Sequence, residues 1–300
     1  MSRLYKFFHI AGVVFLILVA LMVLLGALRR NIYNAKLGIN LLLIGEGGMG
    51  IVSIRQNSGV VSLMRLPNNL SIPIGANGGE YQMEAIYKIG LPLPDPSNVA
   101  RTSIGQALGV VVAGVVKSNV EFSLTGLREG LLSFSAKTNL SLIDRYLLLK
   151  DVNELLGKTM SLSVSLPKNV MDIIEEPDGK TIYRLNAAVF VWSRNQWVVD
   201  GVLSETAEVT VVNATGKGGR ARQGARQIES AGTRVIDVLT AKKEEKESCL
   251  IWGDTKVHPK TAEFLINSFF CKPAQKKNLL KDYIDRDTKS DLVIVLGRGD

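Results

Sequence analysis

The chain has 300 residues, of which 46% are hydrophobic and 21% are charged, and its formal net charge is +8. This composition excludes disordered and fibrous proteins, and the length is sufficient for two compact domains of about 100 to 200 residues each. The charge is uneven, because residues 1–30 carry +4, residues 31–206 carry none on balance and residues 207–300 carry +4. With only two histidines and two cysteines, the sequence provides neither a zinc site nor a Cys/His or Ser/His/Asp catalytic set.

An uncharged apolar run occupies residues 10–28. A helix of this length nearly spans the roughly 30 Å hydrocarbon core of a bilayer, so we predict a single transmembrane helix that anchors the protein. A cleaved signal peptide is the alternative, but its apolar region is usually shorter and ends in small residues, whereas Arg29 and Arg30 follow directly here. Basic residues flank the run on both sides, so the positive-inside rule does not decide its orientation.

Residues 31–39 are predicted to be a tether, and a central domain that mixes strands and helices follows. Runs of β-branched and apolar residues predict strands, and the polar residues 56–59 predict a hairpin turn. The glycine-rich residues 46–50 do not form a phosphate loop, because no Lys-Ser/Thr pair follows and the next element is a strand. The predicted elements are strands 40–45, 51–66, 161–166, 181–191 and 197–203, with an amphipathic helix over residues 141–156.

A domain boundary is predicted at residues 204–207, because the residues beyond it alternate between strand and helix patterns. Such alternation is typical of a compact α/β module. The predicted elements are strand 208–213, helix 220–231, strands 233–239 and 248–253, helix 259–270 and strand 291–297. The chain is thus expected to comprise an anchor and tether (1–36), a mixed α/β central domain (37–206) and a small C-terminal α/β domain (207–300).

Cys249 opens a predicted strand, and Cys271 closes the helix that follows. A helix that returns antiparallel to its strand brings its end near the start of that strand, so the two sulfurs can meet in a disulfide. Such a bond requires an oxidising compartment. Two small, buried cysteines without a bond are the alternative interpretation.

The stretch VTVVNATGKGGRARQGARQI, residues 209–228, predicts a strand, a glycine loop and a basic helix. Glycines permit the sharp reversal, and free N–H groups at the start of a helix favour an anion. Lys217, Arg220, Arg222 and Arg226 are therefore candidate anion-binding residues. A structural turn with a solvated basic face is the competing interpretation, because cations are unfavourable at a helix N-terminus and the Lys-Ser/Thr of a nucleotide site is missing.

This stretch, together with the closing SDLVIVLGRG, resembles the C-terminal domain of the LytR family of cell-envelope proteins. The resemblance covers about residues 207–300. It depends on V-x-V-x-N-A-T-G, an alanine-spaced helix, an A-G helix stop and a final V-I-x-L-G-R strand. It implies that the bulk of the protein lies outside the cytoplasm.

Residues 40–203 resemble the LytR-CpsA-Psr domain through NLLLIG, SLMRLPNN and SIGQALGVVV. Proteins of that family transfer polymers from polyprenyl pyrophosphate carriers to the cell wall. Here Glu46 and glycines replace the family's first aspartate and Arg-x-Asp, and Asn68-Asn69 replaces its Arg-Asp after proline. These departures remove an arginine for the pyrophosphate and carboxylates for a divalent cation. The resemblance therefore implies a degenerate, non-catalytic domain without a metal.

The alternative is an active phosphotransferase that uses Glu46, Arg65 and Arg145 with Mg²⁺. Under either interpretation, residues 10–28 are expected to hold the protein in the cytoplasmic membrane with a single span. The expected partners are a wall polymer, a polyprenyl-phosphate lipid or an envelope protein, and not a nucleic acid.

Overall fold

A computed structural model of the chain describes residues 12–21, 32–34, 36–55, 58–74, 79–93, 95–157, 161–194, 196–274, 277–285 and 287–299. Residues 12–21 are helical (α1) and exposed. Among the described residues, no helix has both the length and the apolar character needed to cross a bilayer. Residues 10, 11 and 22–28 of the predicted span lie outside the described residues. The anchor stays a prediction.

The first sheet contains six strands. The hairpin turn predicted at 56–59 falls partly on residues outside the described ones, and the strands on either side of it pair antiparallel. Neighbouring strands, in spatial order, are β7 (Lys137–Thr138), β6 (Gly114–Glu121), β1 (Ile39–Glu46), β2 (Gly48–Arg55), β3 (Val60–Leu66) and β8 (Ser161–Val164). β1, β2 and β3 are antiparallel in turn, whereas β6 runs parallel to β1 and β8 runs parallel to β3.

Helices cover both faces of this sheet. They are α2 (Met83–Gly90), α3 (Pro96–Leu108), α4 (Leu124–Leu132) and α5 (Leu142–Leu156). Leu41 and Leu43 of β1 belong to the core under α4 and α5, whereas Leu42 and Ile44 belong to the core under α2 and α3. A strand buried on both faces reads as a continuous apolar run, and this explains why β1 was recognisable in the sequence.

The second sheet has four strands and contacts the first through the core under α2 and α3. Its order is β5 (Glu80–Gln82), β4 (Leu70–Pro73), β10 (Thr181–Leu185) and β9 (Met171–Glu175). A short 3-10 helix (Lys168–Val170) precedes β9, and the helices α6 (Ala188–Ser193) and α7 (Asp200–Leu203) follow β10. The mixed α/β architecture predicted for this part of the chain is confirmed.

Two predicted strands are wrong in whole or in part. The strand predicted over 181–191 ends early, because the Asn186 side-chain oxygen accepts the N–H of Ala188 and starts α6. The strand predicted over 197–203 contains α7 instead, since the carbonyl of Val199 accepts two N–H groups of that helical turn. In both segments a run rich in apolar residues suggested a strand, whereas local hydrogen bonds determined the structure.

The third sheet contains five strands formed by the C-terminal residues. Its order is β12 (Arg234–Thr240), β11 (Glu208–Asn213), β15 (Leu292–Leu296), β13 (Cys249–Gly253) and β14 (Cys271–Pro273). The helices are α8 (Arg220–Ser230), α9 (Pro259–Phe269) and a short 3-10 helix (Lys277–Asp282). Phe270 adopts a φ of 55° after α9, so Cys271 begins β14 and does not close the helix as predicted.

The core under α8 and α9 extends across the predicted boundary at 204–207. Besides residues of the third sheet, it includes Leu37, Val111, Val199 and Val202. This core of the third sheet is therefore shared with earlier residues, whereas a second core, which includes Trp252, Tyr283 and Val293, consists only of residues beyond the predicted boundary. The boundary itself stays a prediction.

Glu205 adds a polar connection at the same place. Its carboxylate accepts the backbone N–H groups of Lys260 (2.9 Å) and Thr261 (2.8 Å) at the start of α9. Burial alone would raise the pKa of Glu205, but these hydrogen bonds outweigh it and hold the pKa below its ordinary value. Glu205, which precedes the third sheet in the chain, thus caps the N-terminus of α9.

Candidate anion-binding cleft

Hydrogen bonds within the loop between β11 and α8 fix its shape. The side-chain oxygen of Asn213 accepts bonds from the N–H and the hydroxyl of Thr215, and its Nδ2 donates to the carbonyl of Lys217. Gly216 and Gly219 have φ values of 71° and 79°, a region that favours glycine. The asparagine, threonine and glycines of this stretch are therefore explained by the turn, and no side chain caps α8.

A cavity of about 640 Å³ lies beside this loop, between α3 and α8. We call it the α3–α8 cleft. Among the described residues, four basic side chains and one carboxylate line it, together with several amides. The charged and amide side chains are Asn98, Arg101, Gln106, Lys217, Arg220, Gln223, Gln227, Glu244 and Arg298. The cleft thus has an excess of positive charge and many hydrogen-bond donors.

Arg101 forms part of the α3 wall. Its guanidinium donates to the carbonyl of Val112 (3.2 Å) and to the side-chain oxygen of Asn98 (2.8 Å), and it lies 5.6 Å from the centroid of the Phe270 ring. Burial lowers the pKa of Arg101, and the charge of Asp95 opposes that change. Because arginine starts from a pKa above about 12, it stays charged at neutral pH.

Arg220 lies on the α8 wall and reaches across the cleft to α3. Its Nη1 lies 3.2 Å from the side-chain oxygen of Gln106 on α3 and 3.4 Å from that of Gln223. Arg298 pairs with Glu244 at 3.1 Å, and both side chains are about half exposed. A pair so exposed contributes only about 0 to 1 kcal/mol.

The four basic residues proposed from the sequence do not form one site. Lys217 and Arg220 line the cleft, whereas Arg222 and Arg226 are not part of its lining. Arg226 places its guanidinium carbon 3.7 Å from the centroid of the Phe190 ring. Burial, and then the charges of Arg222 and Arg194, lower the pKa of Arg226. These two arginines form a separate basic surface between α6 and α8.

Glu46 and Arg65, proposed for the alternative phosphotransferase, lie on the first sheet away from the cleft lining. Glu46 is exposed at the end of β1 and is opposite Glu121 of β6 in the strand register. Arg65 is exposed, and its guanidinium carbon lies 5.4 Å from the centroid of the Phe122 ring. Glu121 is a second carboxylate at this edge that the sequence did not reveal, because it comes from a strand distant in the chain.

Arg145 has a structural position. Its guanidinium donates to the carbonyls of Leu131 (2.9 Å from Nε) and Ser133 (2.6 Å from Nη2) at the end of α4. A cation favours a helix C-terminus, where carbonyls lack partners. Arg145 therefore closes α4 through its Nε and Nη2 donors.

Asn68 and Asn69, where the resemblance expects arginine and aspartate, differ in their surroundings. Asn69 donates from its amide to the carbonyl of Thr181 (2.8 Å), and its own carbonyl accepts the N–H of Tyr183. It thereby joins β4 to β10. Asn68 is exposed beside Gly48 at the β1–β2 turn, so only Asn68 is free of such a structural contact between strands.

A disulfide joins Cys249 to Cys271 across the neighbouring strands β13 and β14, and both residues are fully buried. In the described part of the chain, no three His, Cys, Asp or Glu residues come together as metal ligands.

No family model and no curated protein matches the chain. A protein from Enterococcus faecalis described as transcriptional regulator EF0465 is similar in structure, with 13% identity and a TM-score of 0.40 over 53% of this chain and 85% of that one. Bacillus subtilis TagT has 14% identity and a TM-score of 0.39 over 53% and 89%. YwtF (TagT), described as a LytR-CPS2A-psr family protein with bound octaprenyl pyrophosphate lipid, has 15% identity and a TM-score of 0.38 over 54% and 89%. Structural neighbours thus include LytR-CpsA-Psr proteins, but similarity at this level establishes neither a shared family nor a shared function.

Proposed function

We propose that the protein is anchored in the cytoplasmic membrane by residues 10–28 and binds an anionic cell-envelope polymer or a polyprenyl-phosphate headgroup in the α3–α8 cleft, without transferring it. The observation that carries the proposal is the excess of four basic side chains over one carboxylate around the cavity. The buried disulfide between Cys249 and Cys271 supports an extracytoplasmic location, because such bonds persist in oxidising compartments.

The chemistry of the cleft suits an anionic, hydroxyl-rich chain. Its volume of about 640 Å³ is within the ~300–1,000 Å³ that is common for ligand sites. Guanidinium groups bind phosphate or carboxylate oxygens through paired, charge-assisted hydrogen bonds. The amides of Gln106, Gln223 and Gln227 line the same cavity and can bond to sugar or polyol hydroxyls.

Two observations support binding without turnover. Arg145, one of the three proposed catalytic residues, uses its guanidinium to close α4. Asn69 occupies the position of an expected aspartate and joins two strands through its amide. Both residues thus have structural contacts that account for their positions without a pyrophosphate.

The phosphotransferase alternative keeps one supporting observation, the pairing of Glu46 with Glu121 in the strand register. Mg²⁺ is usually held by one or two carboxylates together with phosphates of the substrate, so these two residues would hold it if it binds. Phosphate release from a polyprenyl pyrophosphate in the presence of Mg²⁺ tests this alternative. We expect none, and turnover that Glu46→Gln abolishes would replace the binding proposal with an enzyme.

Binding is tested with the purified chain and a polyglycerol-phosphate polymer, with neutral dextran as the ligand control. Arg220→Gln is compared with Arg222→Gln, which removes the same charge from the same helix outside the cleft. Loss of one charge-assisted contact of about 1.4 kcal/mol weakens binding about tenfold, so we expect that loss for Arg220→Gln alone. Equal effects of the two variants, or equal binding of dextran, would contradict the proposed site.

The location is tested with a C-terminal reporter that is active only outside the cytoplasm. We expect reporter activity, together with retention of the full chain in the membrane fraction. A cytoplasmic signal would contradict the envelope function.

A further inference from the structure

The segment that follows the predicted membrane span is fastened to α5. One carboxylate oxygen of Asp144 accepts the backbone N–H groups of Ile32 (3.0 Å) and Tyr33 (2.9 Å). The Tyr33 hydroxyl donates to the carboxylate of Asp151, which lies further along α5 than Asp144. Tyr33 and both aspartates are buried. The position of residue 32 is therefore fixed relative to the N-terminal end of α5.

The distance from the predicted span to that point is short. The apolar run ends at Leu28, four residues before Ile32. Since an extended chain covers at most about 3.3–3.6 Å per residue, these residues lie within roughly 14 Å of each other. The polar headgroup layer on each side of a bilayer is about 5 to 8 Å thick. The N-terminal end of α5 is thus held beside the membrane surface if residues 10–28 span it.

An exposed apolar surface lies at this same end of α5. It comprises Leu132 and Phe134 after α4 and Leu142 and Tyr146 at the start of α5, which are 50%, 95%, 69% and 68% exposed. Arg145 ties the two parts together through its bonds to carbonyls at the end of α4. We call this surface the α4–α5 corner.

The charges around the α4–α5 corner also suit a lipid surface. Asp144 is the only carboxylate between residues 132 and 149, and it is fully buried. Lys137 is exposed in the same stretch. Aromatic side chains are favoured at the membrane–water interface, and lysine is attracted to anionic lipids. Contiguous exposed apolar patches mark sites of interaction with proteins or membranes.

We propose that the α4–α5 corner is a membrane-contact surface that inserts Phe134 and its apolar neighbours into the headgroup layer of the bilayer. The proposal rests on the membrane anchor of the proposed function, and the partner is the lipid surface itself. Contact at this corner sets the orientation of the first sheet and its helices relative to the membrane.

The test uses site-directed nitroxide labels on the full chain in vesicles that contain phosphatidylglycerol. Both native cysteines are in the disulfide, so an introduced cysteine is the only free thiol. Labels are placed at Phe134→Cys in the corner and at Leu18→Cys in the predicted span. Ile173→Cys and Val191→Cys, at residues 67% and 69% exposed, are matched controls elsewhere on the surface. Collision rates are measured with oxygen, which partitions into lipid, and with a water-soluble nickel chelate.

We expect the ratio of oxygen to nickel collisions at residue 134 to be several-fold higher than at residues 173 and 191, and to fall when the vesicles are replaced by detergent micelles. A ratio at residue 134 equal to the controls, with a membrane-buried label at residue 18, would overturn the contact surface and leave the anchor intact. Protection of residue 134 from both collision partners would indicate a second copy of the chain and would also overturn it. An aqueous label at residue 18 would overturn the anchor and the contact surface together.

Discussion

Replacing Tyr33 with phenylalanine is expected to destabilise the folded chain by about 1.5–3 kcal/mol. The substitution keeps the ring, which is only 5% exposed, and removes the hydroxyl that donates to Asp151. No cavity forms, so the expected loss is that of one hydrogen bond to a buried, charged acceptor, which is typically in this range. Tyr146→Phe is the matched control, because Tyr146 is 68% exposed and such surface changes stay within about 0.5 kcal/mol.

The pH dependence gives an independent signature. Burial, and then the hydrogen bond to Asp151, raise the pKa of the Tyr33 hydroxyl above its ordinary value. A group whose pKa is raised on folding contributes stability that is complete below its unfolded pKa, about 10 for tyrosine, and is lost as the pH rises towards the folded value. The difference between wild type and Tyr33→Phe should therefore be constant from about pH 6 to 9 and become smaller above pH 10.

Urea denaturation of the detergent-purified chain, followed by circular dichroism, measures these differences at each pH. A free-energy difference below about 0.5 kcal/mol for Tyr33→Phe, or one equal to that of Tyr146→Phe, would refute the role of the hydroxyl in holding the segment to α5. A difference that does not change above pH 10 would refute the assigned protonation.

Three further substitutions test other parts of the structure by the same denaturation assay or by direct binding. Glu205→Ala removes the carboxylate cap of α9 and should lower the free energy of unfolding by about 1 kcal/mol at pH 7. Because the pKa of Glu205 is lowered, the stability that it contributes is present above its ordinary pKa and is lost as the pH falls through the folded value. The stabilities of variant and wild type should therefore converge in acid, and a difference that persists there would contradict the assignment. The double change of Cys249 and Cys271 to alanine removes a disulfide between residues 22 apart in sequence and should lower the free energy of unfolding by about 3 kcal/mol. Equal denaturation midpoints of the wild type with and without reductant would contradict this value. Asn68→Arg should tighten binding of a pyrophosphate, measured by calorimetry. Asn69→Asp should instead destabilise the fold by about 1 kcal/mol or more, because it removes a donor to the carbonyl of Thr181. Loss of stability in Asn68→Arg and unchanged stability in Asn69→Asp would contradict these separate roles.

The sequence predicted helices and strands correctly where burial of one or both faces leaves a regular pattern of apolar residues. β1 and the alternating elements of the third sheet were recognisable because their apolar periodicity is local. The helices α6 and α7 were missed because local hydrogen bonds, such as that from the Ala188 N–H to the Asn186 side-chain oxygen, determined the structure of these apolar runs. No periodicity reports such bonds.

The cleft was predictable only on one side. Lys217 and Arg220 follow a glycine loop that signals a possible anion site, whereas Arg101 lies in α3 and has no neighbouring motif. Asp144 and Asp151 lie in the amphipathic helix predicted over residues 141–156, and both are buried. Their partners Ile32 and Tyr33 lie more than 100 residues earlier in the chain, and such pairings become visible only when the chain is folded.

The shared core beneath α8 and α9 has a consequence for how the cleft takes up a ligand. The side-chain amide of Gln227 on α8 donates to the carbonyl of Val110 just after α3 (2.9 Å), so a direct hydrogen bond joins the two walls of the cleft in addition to the shared core. We expect walls joined in this way to open and close less than two walls linked only by a hinge, so that the width of the cleft is largely set before a ligand arrives. Preorganised walls lose little conformational entropy on binding. The cleft would therefore select among polymers by the thickness of the polymer chain that enters it.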